Sequence, residues 1–173
     1  MSTRDASPVI RTYRWQDVNP LDPDPQTIMI EDIARSLSNL CRYNGHVNAF
    51  YSVGEHSLRV SHAVPLHDAL WGLLHDASEA YLGDLMSPLK YHTELGAHYR
   101  AVEEKLMRVI CQRFGLSPKM PASVARADHE QLQEEQKWLR EAAGRFAWQS
   151  GVTTMPPLQA ELEFLNRFRE LTR

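Results

Sequence analysis

Hydrophobic residues recur at intervals of three and four positions along most of the chain, the spacing that places side chains on one face of an α-helix. In the first such segment Ile30, Ile33, Leu37 and Leu40 follow this period, and Asn44-Gly45 supplies a stop signal. The predicted helices run from about Ile28 to Asn44, from Ser52 to about Ala63, from Pro65 to Gly83, from Ala97 to Phe114, from Pro121 to Leu139 and from Leu158 to Phe168. No segment shows strand alternation, so the pattern predicts an all-α fold, a compact bundle of about five to seven helices.

The start of the second helix carries a recognisable sequence signal. Ser52 and Glu55 have the S-x-x-E form of a capping box, in which the two side chains reciprocally accept hydrogen bonds from free backbone amides. Pro65 suits the first turn of the third helix, and Pro121 suits the first turn of a later one. These signals support the helix boundaries.

Other segments are expected to lie outside the helices. Pro20, Pro23 and Pro25 prevent a continuous helix, so residues 1–26 are expected to form an irregular but ordered arm. Residues 87–93 are expected to form a loop, and residues 142–173 to serve in packing or subunit contact. A length of 173 residues suits a single domain over residues 1–173.

Composition narrows the classes of partner and compartment. A formal net charge of -3 argues against binding to a nucleic-acid polymer, which requires an excess of basic residues, but leaves a small anionic substrate possible. No window approaches the roughly 20 apolar residues that cross a bilayer, and the N-terminal residues are polar. A cytoplasmic protein without a membrane partner is expected, and Cys41 and Cys111 are interpreted as reduced thiols.

The most informative segment places ionisable residues in the most apolar predicted helix. His75 and Asp76 follow Leu73-Leu74, and burying such groups is costly unless they are paired or bind a metal. Glu79 lies four residues after His75 and three after Asp76, so all three can project toward one region. A divalent cation held by two of them, with the third in acid/base work, accounts for this pattern.

Two further residues can complete a metal site. His56 follows the capping box, and a neighbouring antiparallel helix would bring its imidazole to the same point. Asp128 lies in line with Val124 and Leu132 on the inward side of its predicted helix, so it also needs an interior partner. Two imidazoles and two carboxylates suit one Mn²⁺, Co²⁺, Fe²⁺ or Mg²⁺ ion, and Zn²⁺ is also accommodated.

The order His56, His75-Asp76, Asp128 resembles the H…HD…D pattern of the HD phosphohydrolase superfamily. The segments 52–57, 74–81, 83–84 and 87–90 resemble those of bacterial HD-domain 5'-deoxynucleotidases and related phage enzymes. Residues 28–45, with Pro20 before them, are most similar to a phage-type dATP triphosphohydrolase subgroup. The resemblance covers roughly residues 10 to 135 and implies the HD-domain helical bundle.

The resemblance also implies a role for each matching position. His56, His75, Asp76 and Asp128 would hold the metal, and Glu79 would assist proton transfer at the attacked phosphate. The other implied roles concern the substrate. Asp84 would contact the sugar and Lys90 the phosphate. Arg42 would contact the substrate, and Pro88 would shape the base pocket.

One position departs from the deoxynucleotidase pattern. Those enzymes carry a tryptophan after the arginine to crowd the ribose 2' position, whereas this chain has Tyr43. Discrimination between deoxyribose and ribose is therefore not predicted. Relatives of this kind are often homo-oligomers, so a dimer or larger homo-oligomer is expected.

The predicted function is hydrolysis of a small deoxynucleotide by attack of a metal-bound water on the α-phosphate. The N-terminal residues favour a dNTP triphosphohydrolase of the dATPase type over the alternative, a 5'-deoxynucleotidase that releases phosphate from dNMPs. A cyclic or signalling-nucleotide phosphodiesterase, and a nucleotide sensor without turnover, are the more distant alternatives.

Other charged residues carry weaker signals. An HD pair alone is a common surface dipeptide, as His67-Asp68 illustrates, so the metal site is inferred from the whole set. Segments 103–105 and 134–135 are interpreted as solvent-facing charge on helices. The remaining histidines are interpreted as surface or structural residues, with His129 beside Asp128 as the main competitor: His46, His62, His67, His92, His98 and His129.

Overall fold

The computed structural model describes residues 8–145 and 153–173, and within them it confirms the all-α class. Residues 1–7 of the expected arm and residues 146–152 of the expected C-terminal segment lie outside the described residues. The α-helices are α1 (Ile30–Asn39), α2 (Val53–Ala63), α3 (Ala69–Leu74), α4 (Glu79–Leu82), α5 (Ser87–His92), α6 (Glu94–Phe114), α7 (Ala122–Glu141) and α8 (Pro157–Leu171). Short 3₁₀ turns cover Pro25–Thr27, Arg42–Gly45 and Leu66–Asp68.

The N-terminal arm contains a small two-stranded hairpin that the sequence pattern did not predict. Strands β1 (Ile10–Arg11) and β2 (Asp17–Val18) pair antiparallel. Each strand has two residues, which is too short for an alternating pattern to be read from sequence. The arm is held on α1 by Asp32, whose carboxylate accepts hydrogen bonds from the Thr12 hydroxyl and the Arg14 backbone amide.

The third predicted helix, from Pro65 to Gly83, is divided in the structure. A 3₁₀ turn precedes α3, and residues 75–78 form turns between α3 and α4. Within them the Ala77 amide donates to the Leu74 carbonyl and the Glu79 amide to the Asp76 carbonyl. Each bond spans three residues, instead of the four of an α-helix. Three-residue bonding inside a helical stretch often accompanies functional positions. Here it coincides with His75-Asp76.

The loop predicted over residues 87–93 was wrong, because residues 87–92 form α5. Pro88 lies in the first turn, where its missing amide costs nothing. Gly96 on α6 allows close packing of α5: a Cβ there would lie 2.2 Å from the Leu89 carbonyl oxygen and 2.3 Å from that of Lys90. Contact with α6 therefore stabilises a helix too short to be evident from periodicity.

The core lies among α1, α2, α3, α6 and α8. Ile33, Leu37, Leu73, Leu106 and Phe164 are fully buried and belong to one cluster. The C-terminal segment thus packs in the core through α8, which contacts α1, α2 and α3. Subunit contact by this segment stays a prediction. Among the described helices, none is both long and apolar enough to span a bilayer.

Truncation of Phe164 to alanine is expected to lower the free energy of unfolding by about 3–5 kcal/mol, because a buried ring is lost and a cavity remains. Leu162→Ala on the same helix is the control. Its side chain is 53% exposed, so its effect should stay within about 0.5 kcal/mol. Denaturant unfolding measures both. Equal effects would contradict the packing of α8 described above.

Candidate functional site

His56 is positioned by the start of α2. The Ser52 hydroxyl accepts a hydrogen bond from the Glu55 amide at 3.0 Å, so this half of the capping box is confirmed. The reciprocal half was wrong, since the Glu55 carboxylate accepts instead from the Arg59 guanidinium and the Met155 amide. His56 lies in the first turn of this helix, and its side chain is fully buried.

His75 is oriented by a bond to its own chain. Its Nδ1 lies 2.8 Å from the Gly72 carbonyl oxygen, an acceptor, so Nδ1 carries the proton and donates. The other ring nitrogen, Nε2, is buried and has no hydrogen-bond partner among the residues that the structure describes. Nε2 is therefore available as a ligand.

Four predicted ligands converge at this point. His56 Nε2 lies 3.0 Å from Asp128 Oδ1 and 3.9 Å from Asp76 Oδ2. His75 Nε2 lies 3.2 Å from Asp76 Oδ2 and 3.7 Å from Asp128 Oδ1. Ligand atoms around one ion with bonds of about 2.1 Å lie roughly 3–4 Å apart. Three of these side chains, His56, His75 and Asp76, offer ligand atoms that all lie within 4.8 Å of one another and so suit a single divalent cation, and Asp128 lies beside them.

The charges at this point also suit a cation. Burial by itself would raise the pKa of Asp76, but attraction to His75, His56 and Arg42 outweighs it and holds that pKa well below its usual range. The pKa of Asp128 is likewise lowered, since its close contacts with the His56 and His75 imidazoles outweigh the effect of burial. Both carboxylates stay ionised and form an anionic pocket between two imidazoles.

Glu135 is a site residue that the sequence analysis assigned to the solvent-facing surface, and that assignment was wrong. Its side chain is fully buried, and its Oε1 lies 2.6 Å from His56 Nδ1. It occurs seven residues after Asp128 on the inward stripe of α7. That spacing was the available signal, since residues seven apart share a helix face.

Burial would raise the pKa of Glu135, but hydrogen bonds from His56 and Tyr43 and the charge of Arg42 lower it to about 2. The group is therefore a carboxylate at neutral pH.

A pocket of about 610 Å³ opens beside the convergent ligands. That volume lies in the range of small-molecule sites. Besides Asp76 and Asp128, its lining includes all six other residues predicted from the resemblance: Arg42, Tyr43, Glu79, Asp84, Pro88 and Lys90.

Glu79 is the most unusual acid in the pocket. Its side chain is 7% exposed, and within the described part of the chain its Oε2 has no hydrogen-bond partner. Burial raises the pKa of Glu79 well above its usual value, and the negative charges of Asp76 and Asp84 raise it further. In the absence of a cation the Glu79 carboxyl is therefore harder to ionise than an exposed glutamate.

The two basic residues already have acidic partners. Arg42 Nε and Nη2 each lie 3.1 Å from Glu135 Oε2. Lys90 Nζ donates to Glu103 at 2.7 Å. Glu103 is thus 18% exposed and paired, so the solvent-facing interpretation of this residue was wrong.

Tyr43 has an uncommon backbone conformation. Tyr43 and Asn44 both have positive φ angles, 56° and 52°, which sharply reverse the chain after α1 ends at Asn39. The first predicted helix thus ends earlier than expected. The Tyr43 hydroxyl donates to Glu135 Oε2 at 2.6 Å, and this bond holds its ring at the pocket wall.

His129, the main competitor for Asp128, lies apart from the ligands. It is exposed on α7 and is hydrogen-bonded to Gln133, one turn further along. His46 is also exposed but lines the pocket.

No protein-family model matches the chain. The uncharacterized protein YfdR of Escherichia coli strain K12 is 39% identical over 155 residues, which cover 84% of this chain and 85% of YfdR. An uncharacterized protein of Rhodobacter capsulatus is 40% identical over 116 residues, covering 62% of this chain and 58% of that protein. A 5'-deoxynucleotidase of Vibrio atlanticus is 29% identical over 104 residues, covering 47% of this chain and 54% of that protein.

Proposed function

This chain belongs to the family of the uncharacterized Escherichia coli protein YfdR, and we propose that it is a metal-dependent phosphohydrolase of the HD type that acts on deoxynucleoside 5'-monophosphates. The observation that carries the proposal is the convergence of His56, His75 and Asp76, with Asp128 beside them, at a pocket that also contains Arg42 and Glu79. Small-molecule sites of this kind combine convergent polar groups with perturbed pKa values.

The comparisons support the monophosphatase more than the triphosphohydrolase that the sequence resemblance favoured. A relative with a named activity is a 5'-deoxynucleotidase, and its similarity covers 47% of this chain. The preference for a dATPase came from the resemblance of residues 28–45, with Pro20 before them, and from the N-terminal arm over residues 12–30. The monophosphate is therefore the proposed substrate.

His56, His75, Asp76 and Asp128 would hold the divalent ion. Such an ion supplies Lewis-acid polarisation of a phosphoryl oxygen and activation of a water molecule. The guanidinium of Arg42 and the ammonium of Lys90 would bind the phosphate oxygens as negative charge develops on them.

Glu79 would supply the proton that the leaving group needs. Water adds to phosphorus, the bond between phosphorus and the 5'-oxygen breaks, and that oxygen takes a proton from the Glu79 carboxyl. The attacking water releases a proton in turn, which returns Glu79 to its protonated form. The products are a nucleoside and inorganic phosphate. Asp84 would contact the sugar hydroxyl, and the ring of Tyr43 and Pro88 would bound the sugar and base.

A product assay tests this function. The metal-loaded protein is incubated with each dNMP and each dNTP, and phosphate, pyrophosphate and triphosphate are identified. Phosphate release from dNMPs is expected. The Asp76→Asn variant, purified identically, controls for contaminating phosphatases, because it retains the shape of the site but lacks a ligand charge.

Other outcomes would change the assignment. Triphosphate release from dNTPs, especially dATP, would overturn the monophosphatase in favour of the triphosphohydrolase. If the protein hydrolysed neither dNMPs nor dNTPs, both the monophosphatase and the triphosphohydrolase would be excluded. Cyclic and signalling nucleotides would then be assayed.

A further inference from the structure

Glu135 lies behind the proposed metal ligands, buried on α7, and four side chains surround its carboxylate. Oε1 accepts from His56 Nδ1 at 2.6 Å and from the Tyr51 hydroxyl at 2.9 Å. Oε2 accepts from the Tyr43 hydroxyl at 2.6 Å and from Arg42 Nε at 3.1 Å. A carboxylate offers about four acceptor positions, so its hydrogen-bonding capacity is filled. A group held by four donors has little freedom to move.

The two oxygens serve different parts of the site. Oε1 contacts His56, a proposed metal ligand, whereas Oε2 contacts Arg42 and Tyr43, which line the pocket. We propose that Glu135 is a positioning residue that holds His56 in the tautomer able to bind the metal and holds Arg42 and Tyr43 in place at the pocket wall. The inference rests on the proposed metal-dependent function.

The tautomer follows from the chemistry of the pair. An ionised carboxylate only accepts hydrogen bonds, so the proton of the 2.6 Å contact belongs to His56 Nδ1. A neutral imidazole protonated at Nδ1 has its lone pair on Nε2. That atom faces Asp76 and Asp128, where the cation would lie. A hydrogen bond to the ring nitrogen that does not bind the metal commonly fixes the tautomer and orientation of a metal-bound histidine in this way.

Glutamine at position 135 would preserve the shape but not the pattern of acceptors. Its amide offers one accepting oxygen and one donating NH₂ group. The NH₂ group cannot accept a hydrogen bond, so it cannot replace a carboxylate oxygen. Arg42 has no acceptor, so the amide oxygen must face Arg42 and the NH₂ group must face His56. His56 can then accept only at Nδ1, which moves its proton to Nε2 and removes the lone pair required by the metal.

The experiment compares zinc affinity and histidine tautomers in the native protein, in Glu135→Gln and in the control Glu134→Gln. Glu134 is the adjacent residue on α7, but it is exposed and lines a different surface cavity. Competition with a chelator measures the zinc dissociation constant, and ¹⁵N NMR of the imidazoles reports the protonated nitrogen of His56. Glu135→Gln is expected to weaken zinc binding about 10- to 100-fold and to move the His56 proton to Nε2, whereas Glu134→Gln changes neither.

Native zinc affinity together with an unchanged His56 tautomer in Glu135→Gln would overturn the inference and leave the proposed function standing. If the native protein bound neither zinc nor manganese, cobalt, iron or magnesium, the proposed function would fail. Comparison of the His56 Nδ1 signal in the metal-free native and Glu135→Gln proteins would still decide whether Glu135 holds the proton on that atom. Should Glu135→Gln not fold, Tyr51→Phe replaces it, because it removes one hydrogen bond to Oε1 and keeps the ring. About fivefold weaker zinc binding is then expected, and unchanged binding would count against the inference.

Discussion

Replacement of His75 with alanine is expected to reduce metal affinity by more than about 100-fold, because it deletes a proposed ligand and not merely a group behind one. Activity should fall by about 10³-fold or more, since the several kcal/mol of charge stabilisation supplied by an ion corresponds to about a factor of ten for each 1.4 kcal/mol. Metal content after dialysis, and phosphate release under saturating substrate, measure the two effects.

Two further variants make this result interpretable. Asp76→Asn removes a ligand charge with almost no change in shape and is expected to behave like His75→Ala. His129→Ala is the matched control, because His129 is exposed and hydrogen-bonded within α7 to Gln133. Full metal occupancy in His75→Ala, or loss of metal in His129→Ala, would contradict the ligand set.

Glu79→Gln is expected to retain the metal but to lower kcat by about 10²- to 10⁴-fold, the usual contribution of a positioned general acid. The carboxyl is buried and its pKa is raised, so it can hold the proton that the leaving 5'-oxygen requires. The amide of glutamine fills the same space but does not transfer a proton. Single-turnover kinetics together with metal content separate this effect from loss of a ligand.

The raised pKa of Glu79 also makes the stability of the metal-free protein depend on pH. The carboxyl stabilises the folded state fully below its unfolded pKa, near 4.5, and this contribution is lost as the pH rises through the higher folded pKa. The metal-free native protein should therefore lose stability on going from pH 4.5 toward 8, and Glu79→Gln should lack that part of the loss. Denaturant unfolding in the presence of a chelator measures it.

Glu130→Gln is the control for both measurements, because Glu130 is an exposed carboxylate on α7. A Glu79→Gln variant with native turnover would assign Glu79 a structural role only. An unchanged pH dependence of unfolding in the chelated variant would contradict the raised pKa.

Much of the site was accessible from the sequence because its residues occur in short patterns on predicted helices. His75, Asp76 and Glu79 lie within five residues, and an apolar helix that contains such charges signals an interior polar site. The period of the flanking residues likewise predicted the all-α class. These signals are local, so they needed no knowledge of which helices meet.

Tertiary structure decided the features that depend on contacts between distant segments. α5 was missed because six residues show no clear period, and its packing on Gly96 supplies the stability that its sequence does not reveal. Glu135 was misassigned because a glutamate beside another glutamate is usually solvated. It is buried here because donors from positions 42, 43, 51 and 56 surround it, and these lie 79 or more residues away in the chain.

The sequence by itself determined the helical class and pointed to the proposed ligands, since both follow from residue types and their spacing within the predicted helices. Only the tertiary structure decided how the site is supported, which cations are already paired, and which carboxyl has a raised pKa. Those properties follow from burial and from charges within a few ångströms, and such distances are set by the packing of α2, α4, α6 and α7 around the pocket and not by separation along the chain.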